Sequence, residues 1–275
     1  MNWSKVWTVA RIDLHRLFIS KDYWIPMVIL GGIFFVFIPW VLLGVVTRPQ
    51  SIEIVSQIGD VLTSLPGAAS EIVQGETPQA RAAYSLAVFL LAPVAIVVPL
   101  TISSAVGAQA IVGERERGIG EFLAHSPLQI REIYAGKLLA SAIPGYAATV
   151  VGFGVYALIV NFRAGPIVGG WFFPTTGWWL LILWVVPPFL LVALSIIVRL
   201  SARVQSTAAA QQAASLVSLP IIMASYVASS GFVLNPTLAA LIVGSIAWVF
   251  AIWGVIAGAK AISRERLLGV GIETA

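Results

Sequence analysis

The sequence predicts an all-α integral membrane protein with six transmembrane helices. An amphipathic interfacial helix precedes them, and a short charged helix lies between spans two and three. Three observations carry this. Of 275 residues, 59% are hydrophobic and 10% charged, against roughly 25% charged in ordinary soluble domains. Six apolar runs are each long enough for a bilayer, which takes about 20 helical residues. The densest charge cluster, Glu114, Arg115, Glu116, Arg117 and Glu121, falls within eight positions between two of those runs. Ionised groups are costly in lipid, so that segment belongs at the water interface.

Residues 1–22 read as the interfacial helix. Trp3, Trp7, Ala10, Leu14, Leu17 and Phe18 follow helical spacing, with Lys5, Asp13 and Arg16 on the other side. No small-residue cleavage site follows, which argues against a signal peptide. Span one is 23–46, with Pro39 expected to kink it. In the polar stretch 47–83, Ile52, Val55, Ile58, Val61, Leu62 and Leu65 recur at helical intervals and stop before Pro66-Gly67. That helix either covers the outer end of the bundle or caps an opening.

Span two is 84–111, bent by Pro93 and Pro99. The charged segment follows, and a helix there places Glu114, Arg117 and Glu121 on one face. Span three is 138–160, interrupted at Pro144-Gly145, and an aromatic loop covers 161–177. Span four is 178–198, with Pro187-Pro188 in its middle. Span five is 206–231, a very short connector is 232–236, and span six is 237–259.

With six spans, both termini share one side. The segments on that side hold thirteen of the Lys and Arg residues and the opposite segments three. That asymmetry assigns both termini and the 111–137 segment to the cytoplasm. The formal charge of +4 is therefore a topology signal and not a nucleic-acid footprint. No internal repeat or linker divides residues 1–275, which read as one membrane domain.

The chemistry is mostly excluded. The chain has no Cys and two His, which removes disulfides, thiolate catalysis and the preferred transition-metal ligands. No Asp, Glu, Lys, Arg or His sits mid-membrane, where ion-coupled carriers place their relays. No phosphate-binding loop of the G-x-x-x-x-G-K-[ST] type is present, so the chain is not itself an ATPase. Span five is the polar exception. Gln211, Ser215, Ser218, Ser225 and Ser229 share a stripe, with Gln205, Gln212 and Tyr226 near its borders. Such a stripe is either a Ser/Ala packing seam or the lining of a path at a subunit interface.

Glu114-x-Glu116-x-Gly118-x-x-Glu121-Phe122-Leu123, then Ser126-Pro127 and Gly136-Lys137, resembles the signature of type-2 ABC exporter permeases. In that signature a Glu-x-Glu-x-Gly-Thr run precedes a Ser-Pro and a Gly-Lys that opens the third span. The resemblance extends to the order of elements along nearly the whole chain. It implies that the segment is a coupling helix docked on a separate ATPase subunit. Glu114, Glu116, Gly118 and Glu121 would lie at the contact, with Arg115 and Arg117 as neighbours. Two ATPases, holding ATP and Mg, would join two permeases, here a homodimer or this chain with a similar permease, in the cytoplasmic membrane surrounded by lipid. No cofactor would be bound by this chain. Spans one, two and five would border the substrate path, with Gln205, Gln211, Ser215, Ser218, Ser225 and Tyr226 as candidates.

Two features depart from the pattern. Ile119 replaces the usual Thr, and the 232–236 connector is too short for the re-entrant helices of lipid and polysaccharide exporters. The expected function is thus the permease of an ATP-driven exporter working by alternating access. The alternatives are an ion-coupled secondary carrier or a membrane assembly factor, for example of the copper-enzyme maturation type.

Overall fold

A computed structural model describes residues 1–48, 52–63, 72–119 and 125–262. Among them every regular element is helical and there is no strand. Six helices are long and apolar enough to cross a membrane. In chain order the elements are α1 (Trp3–Ile19), α2 (Lys21–Val46), α3 (Ile52–Thr63), α4 (Pro78–Gln109) and α5 (Val112–Glu116). They continue as α6 (Ile130–Val168), α7 (Thr176–Ser201), α8 (Thr207–Leu234) and α9 (Pro236–Ala261). The spans are α2, α4, α6, α7, α8 and α9.

Burial ranks the spans. Along their most apolar stretches α4 is 78% and α7 61% buried, whereas α2, α8 and α9 are 22%, 17% and 28% buried. The first pair therefore forms the centre, and the other three present apolar faces outward. Ile96, Leu100, Leu190 and Ile197 are among the closed residues between α4 and α7. Leu241, Ile242, Val249, Phe250 and Trp253 of α9 are exposed, as lipid-facing side chains are.

Three spans carry a five-residue π turn just ahead of a proline. Ile33–Phe37 precedes Pro39, Leu86–Leu90 precedes Pro93, and Leu181–Val185 precedes Pro187. A proline ring collides with the carbonyl four residues back, and widening the turn relieves that collision. Ile38, Leu91 and Val186 accordingly donate to the carbonyls of Ile33, Leu86 and Leu181, five residues back.

At Leu91–Pro93 the α4 helix opens into a turn. The Ala92 N–H returns to Phe89, and Pro93 has no N–H to give. The carbonyls of Ala87 and Val88 are instead met from other spans. The Tyr156 hydroxyl donates to the first at 2.6 Å and the Trp178 indole N–H to the second at 2.9 Å. An orphaned buried acceptor costs about 1–3 kcal/mol, so these rings do more than pack. Their centroids stack 5.1 Å apart.

Several sequence expectations need correction. The third span does not break at Pro144-Gly145: α6 runs 39 residues without interruption. It begins early because Gln129 and Glu132 form a capping box, and it ends at Gly169, whose φ is 120°. Asn161 and Arg163, read as loop residues, are helical. Asn161 folds the following loop back on the helix. Its side-chain oxygen accepts from Phe172 and Phe173 N–H at 3.1 and 3.2 Å.

The connector before the last span is shorter than expected. α8 continues to Leu234, and Asn235 alone turns the chain, its side chain accepting from Leu238 N–H at 3.0 Å. Helix α3 follows the amphipathic pattern, with Val55 buried, while Pro66-Gly67 lie outside the described residues.

Helix α1 divides its apolar residues between two faces. Val6, Val9 and Ala10 are buried against the bundle, and Trp3, Trp7 and Phe18 are exposed. The buried face meets Gly136 of α6, where a Cβ would stand 2.7 Å from that of Val9. Only glycine allows the two helices so close.

Candidate functional site

Over its described part, up to Ile119, the charged segment forms a short helix, α5, ended by a Schellman motif. Gly118 adopts φ 72°, its N–H donates to Arg115 at 3.0 Å, and the Ile119 N–H donates to Glu114 at 2.8 Å. A left-handed residue at this position is the usual glycine stop. The expected single face carrying Glu114, Arg117 and Glu121 therefore does not form as predicted. The helix ends at Glu116, Arg117 is its C-cap, and Glu121 lies outside the described residues.

Glu114 turns inward. Its side chain is 8% exposed, ion-pairs with the Lys137 ammonium and lies 3.8 Å from Arg16. Lys137, only 3% exposed, also pairs with Asp13 at 2.8 Å. Two carboxylates and two cations thus balance in a partly closed junction of α1, α5 and α6. Burial pushes the Glu114 carboxyl above its ordinary range, while the neighbouring Lys137 ammonium pulls it back. Desolvation alone would favour the neutral acid, so Lys137 is what makes a buried carboxylate tolerable here.

The other side of α5 is fastened to the link between α7 and α8. Ser201 Oγ accepts from the N–H groups of Ile111 and Val112, both at 3.2 Å. The Arg115 guanidinium donates to the Val204 carbonyl, and burial lowers the pKa of that guanidinium. A Glu116 carboxylate oxygen accepts from the Thr207 N–H at 2.8 Å, where it caps α8 and complements its dipole. Glu116, Arg117 and Gly118 remain exposed. Alpha5 is therefore clamped between two pairs of elements, with a charged rim facing out.

Above this junction lies a cleft of about 480 Å³. The α1–α2 elbow (Phe18, Asp22, Trp24), α4 (Thr101, Gln109) and the start of α8 (Thr207, Gln211) line it. The Tyr23 hydroxyl donates to the Gln109 side-chain oxygen beside it. A smaller cavity of about 120 Å³ reaches Glu114, Arg117 and Lys137. The first volume is within the size of small-molecule sites.

The polar stripe of span five does not stay together. Gln211 and Ser215 are exposed, with the Ser215 hydroxyl turned back on the Gln211 carbonyl at 3.0 Å. Ser218 is buried and shares a 2.9 Å hydrogen bond with Ser104 of α4, and Ser225 is buried and bonds the Ile222 carbonyl at 2.7 Å. The buried half is a packing seam with Ala210 and Ala214. Of the described stripe residues only Gln211 lines the large cleft. Gln205 is exposed in the link and Tyr226 is 57% exposed on the outer flank of α8. The side chain of Ser229 lies outside the described residues.

Sequence reasoning missed Asp13, Arg16 and Lys137 as members of the site. Lys137 was visible as the Gly-Lys pair opening span three. Its two carboxylate partners come from separate elements, so spacing could not assign them.

No curated protein matches the chain. A family model does: residues 50–264 match the ABC-2 family transporter protein, a range that contains α5, Lys137 and the α7–α8 link and begins after α1 and α2. With six membrane-spanning helices and this match, the chain is the transmembrane permease type of an ABC transporter and belongs to the ABC-2 family.

Proposed function

We propose that this permease belongs to an ATP-driven exporter whose ATPase subunit docks on the rim formed by Glu116, Arg117 and Gly118. The observation that carries this is the double clamp on α5. One side of that helix is held to α1 and α6 by Glu114, the other to the α7–α8 link by Ser201, Arg115 and Glu116. A push on the rim therefore reaches four elements, including spans α6, α7 and α8. Glu114 acts as an internal fastener here and not as a docking contact. The nucleotide and Mg belong to the partner, whose binding energy biases inward- against outward-facing states.

Two permease copies with two ATPases complete the transporter in this reading, both termini lying in the cytoplasm. The little-buried faces of α2 and α8 suit the contact between permeases, and the 480 Å³ cleft with Gln211 and Asp22 suits the start of the path. Prolines 39, 93 and 187, each preceded by a π turn, are the flexing points. An ion-coupled carrier fits less well, because the half-buried Asp13 and the buried Glu114 lie at the charged end, next to Lys137 in the second turn of α6.

Co-expression with candidate ATPase subunits tests this reading. The complex is expected to purify intact. Glu116→Lys should weaken assembly by about tenfold and sharpen its salt dependence, as reversal of an interface charge does. Glu116→Gln, which keeps an acceptor for the Thr207 N–H, should do less. Equal assembly for all three proteins would remove the rim from the contact.

A further inference from the structure

At the end of α6 far from Lys137 stands a cation with no anionic partner among the described residues. Arg163 follows Lys137 by 26 residues of unbroken helix, about 39 Å at 1.5 Å per residue. That exceeds the ~30 Å of a hydrocarbon core, so the two cations sit at opposite membrane faces. The Arg163 guanidinium carbon lies 3.8 Å over the Trp40 ring. It also lies over Gly44, where a Cβ would touch it at 3.5 Å. Trp40 and Gly44 are one turn apart on α2 and together make a flat bed. Among the described residues no acceptor meets the guanidinium, and its Nε is buried without a hydrogen bond.

The level is marked by other rings. Phe162 and Trp171 are 67% and 71% exposed and meet edge to face, 6.1 Å between centroids. An exposed Trp at a span end sits at headgroup depth, and Phe162 packs against its ring. A guanidinium keeps its charge at any relevant pH. Stacking on a ring uses its face and leaves the in-plane N–H donors for a ligand. Two of those donors match two oxygens of a phosphate.

We infer that Arg163, bedded on Trp40 and Gly44, binds the phosphodiester of a membrane lipid headgroup. The acyl chains then run down the exposed flank of α2, where Val36, Phe37 and Val41 face outward. Anionic lipids are preferred, because no nearby carboxylate among the described residues offsets the charge.

Delipidated protein in a neutral detergent, titrated with short-chain phosphatidylglycerol and read by native mass spectrometry and thermal shift, tests the site. Phosphatidylglycerol should bind and raise the melting temperature, whereas diacylglycerol and free glycerol 3-phosphate should not at the same concentration. Arg163→Gln should weaken binding about tenfold, the loss of a charge-assisted hydrogen bond, and Arg163→Lys should weaken it less. Gly44→Val keeps the charge but lifts the guanidinium from its bed, so it should also weaken binding and decides the matter if Arg163→Gln does not fold. Wild-type affinity in the folded variants overturns the site. Equal binding of diacylglycerol shows tails alone, and equal binding of glycerol 3-phosphate shows a soluble-anion site; either overturns the lipid assignment.

Discussion

Lys137→Met is expected to lower stability by about 3–5 kcal/mol, the usual loss when one partner of a buried ion pair is removed. The substitution keeps the stem volume but leaves Asp13 and Glu114 facing the same partly closed space, with Arg16 as the remaining ion-pair partner of Glu114. Thermal unfolding in detergent measures it. Adding Glu114→Gln to the same chain should recover part of the loss, since one of the two stranded charges is then gone. If the single variant melts with the wild type, the junction is not what fastens α1 and α5 to α6. Assembly with an ATPase should fall in the same order as stability, because the clamp and the fold share this residue.

Gly145→Val is expected to prevent correct packing of α4 against α6. A Cβ at position 145 would collide with the Pro99 carbonyl and the Ser103 hydroxyl. The first of these is backbone and cannot rotate away. Overpacking typically costs about 1–3 kcal/mol, and a branched side chain against a fixed carbonyl belongs at or above the top of that range. Gly145→Ala should show a smaller effect in the same direction. Protease resistance in membranes, together with the melting temperature, measures both. A valine variant as resistant as the parent would mean that the two helices do not approach this closely.

The six spans and the charged segment were legible because apolar runs and charge clusters are one-dimensional signals. The end of α5 was legible too, in principle, since Gly118 is the residue that a Schellman stop requires. The orientation of Glu114 was not. Its partners Asp13, Arg16 and Lys137 come from other elements, and only the packing of α1 on Gly136 brings them together. The length of α6 turned on its caps: Pro144 carries a breaking signal, yet the capping box at Gln129 and the absence of a stop before Gly169 decide the helix.

In span five the polar stripe divides between a buried and an exposed side. The buried direction runs through Ala210, Ala214, Ser218 and Ser225, which leaves Gln211 and Ser215 at the edge. A comparable seam in α9 passed unnoticed. Ala240, Gly244, Ala247, Ala251, Gly254 and Gly258 are buried, and a Cβ at Gly254 would stand 2.6 Å from the Ser195 hydroxyl. Alternating steps of four and three small residues are a helix-packing pattern, readable without any structure.

The absence of cysteine makes one measurement unusually direct. A single thiol introduced by Arg117→Cys on the rim of α5, treated with a short bifunctional cross-linker in the presence of the ATPase subunit, should give a covalent permease–ATPase adduct. The same thiol placed by Trp171→Cys, at the far end of α6, should give none. An active complex that hydrolyses ATP yet yields no adduct from position 117, or yields as much from 171, would contradict docking on this rim.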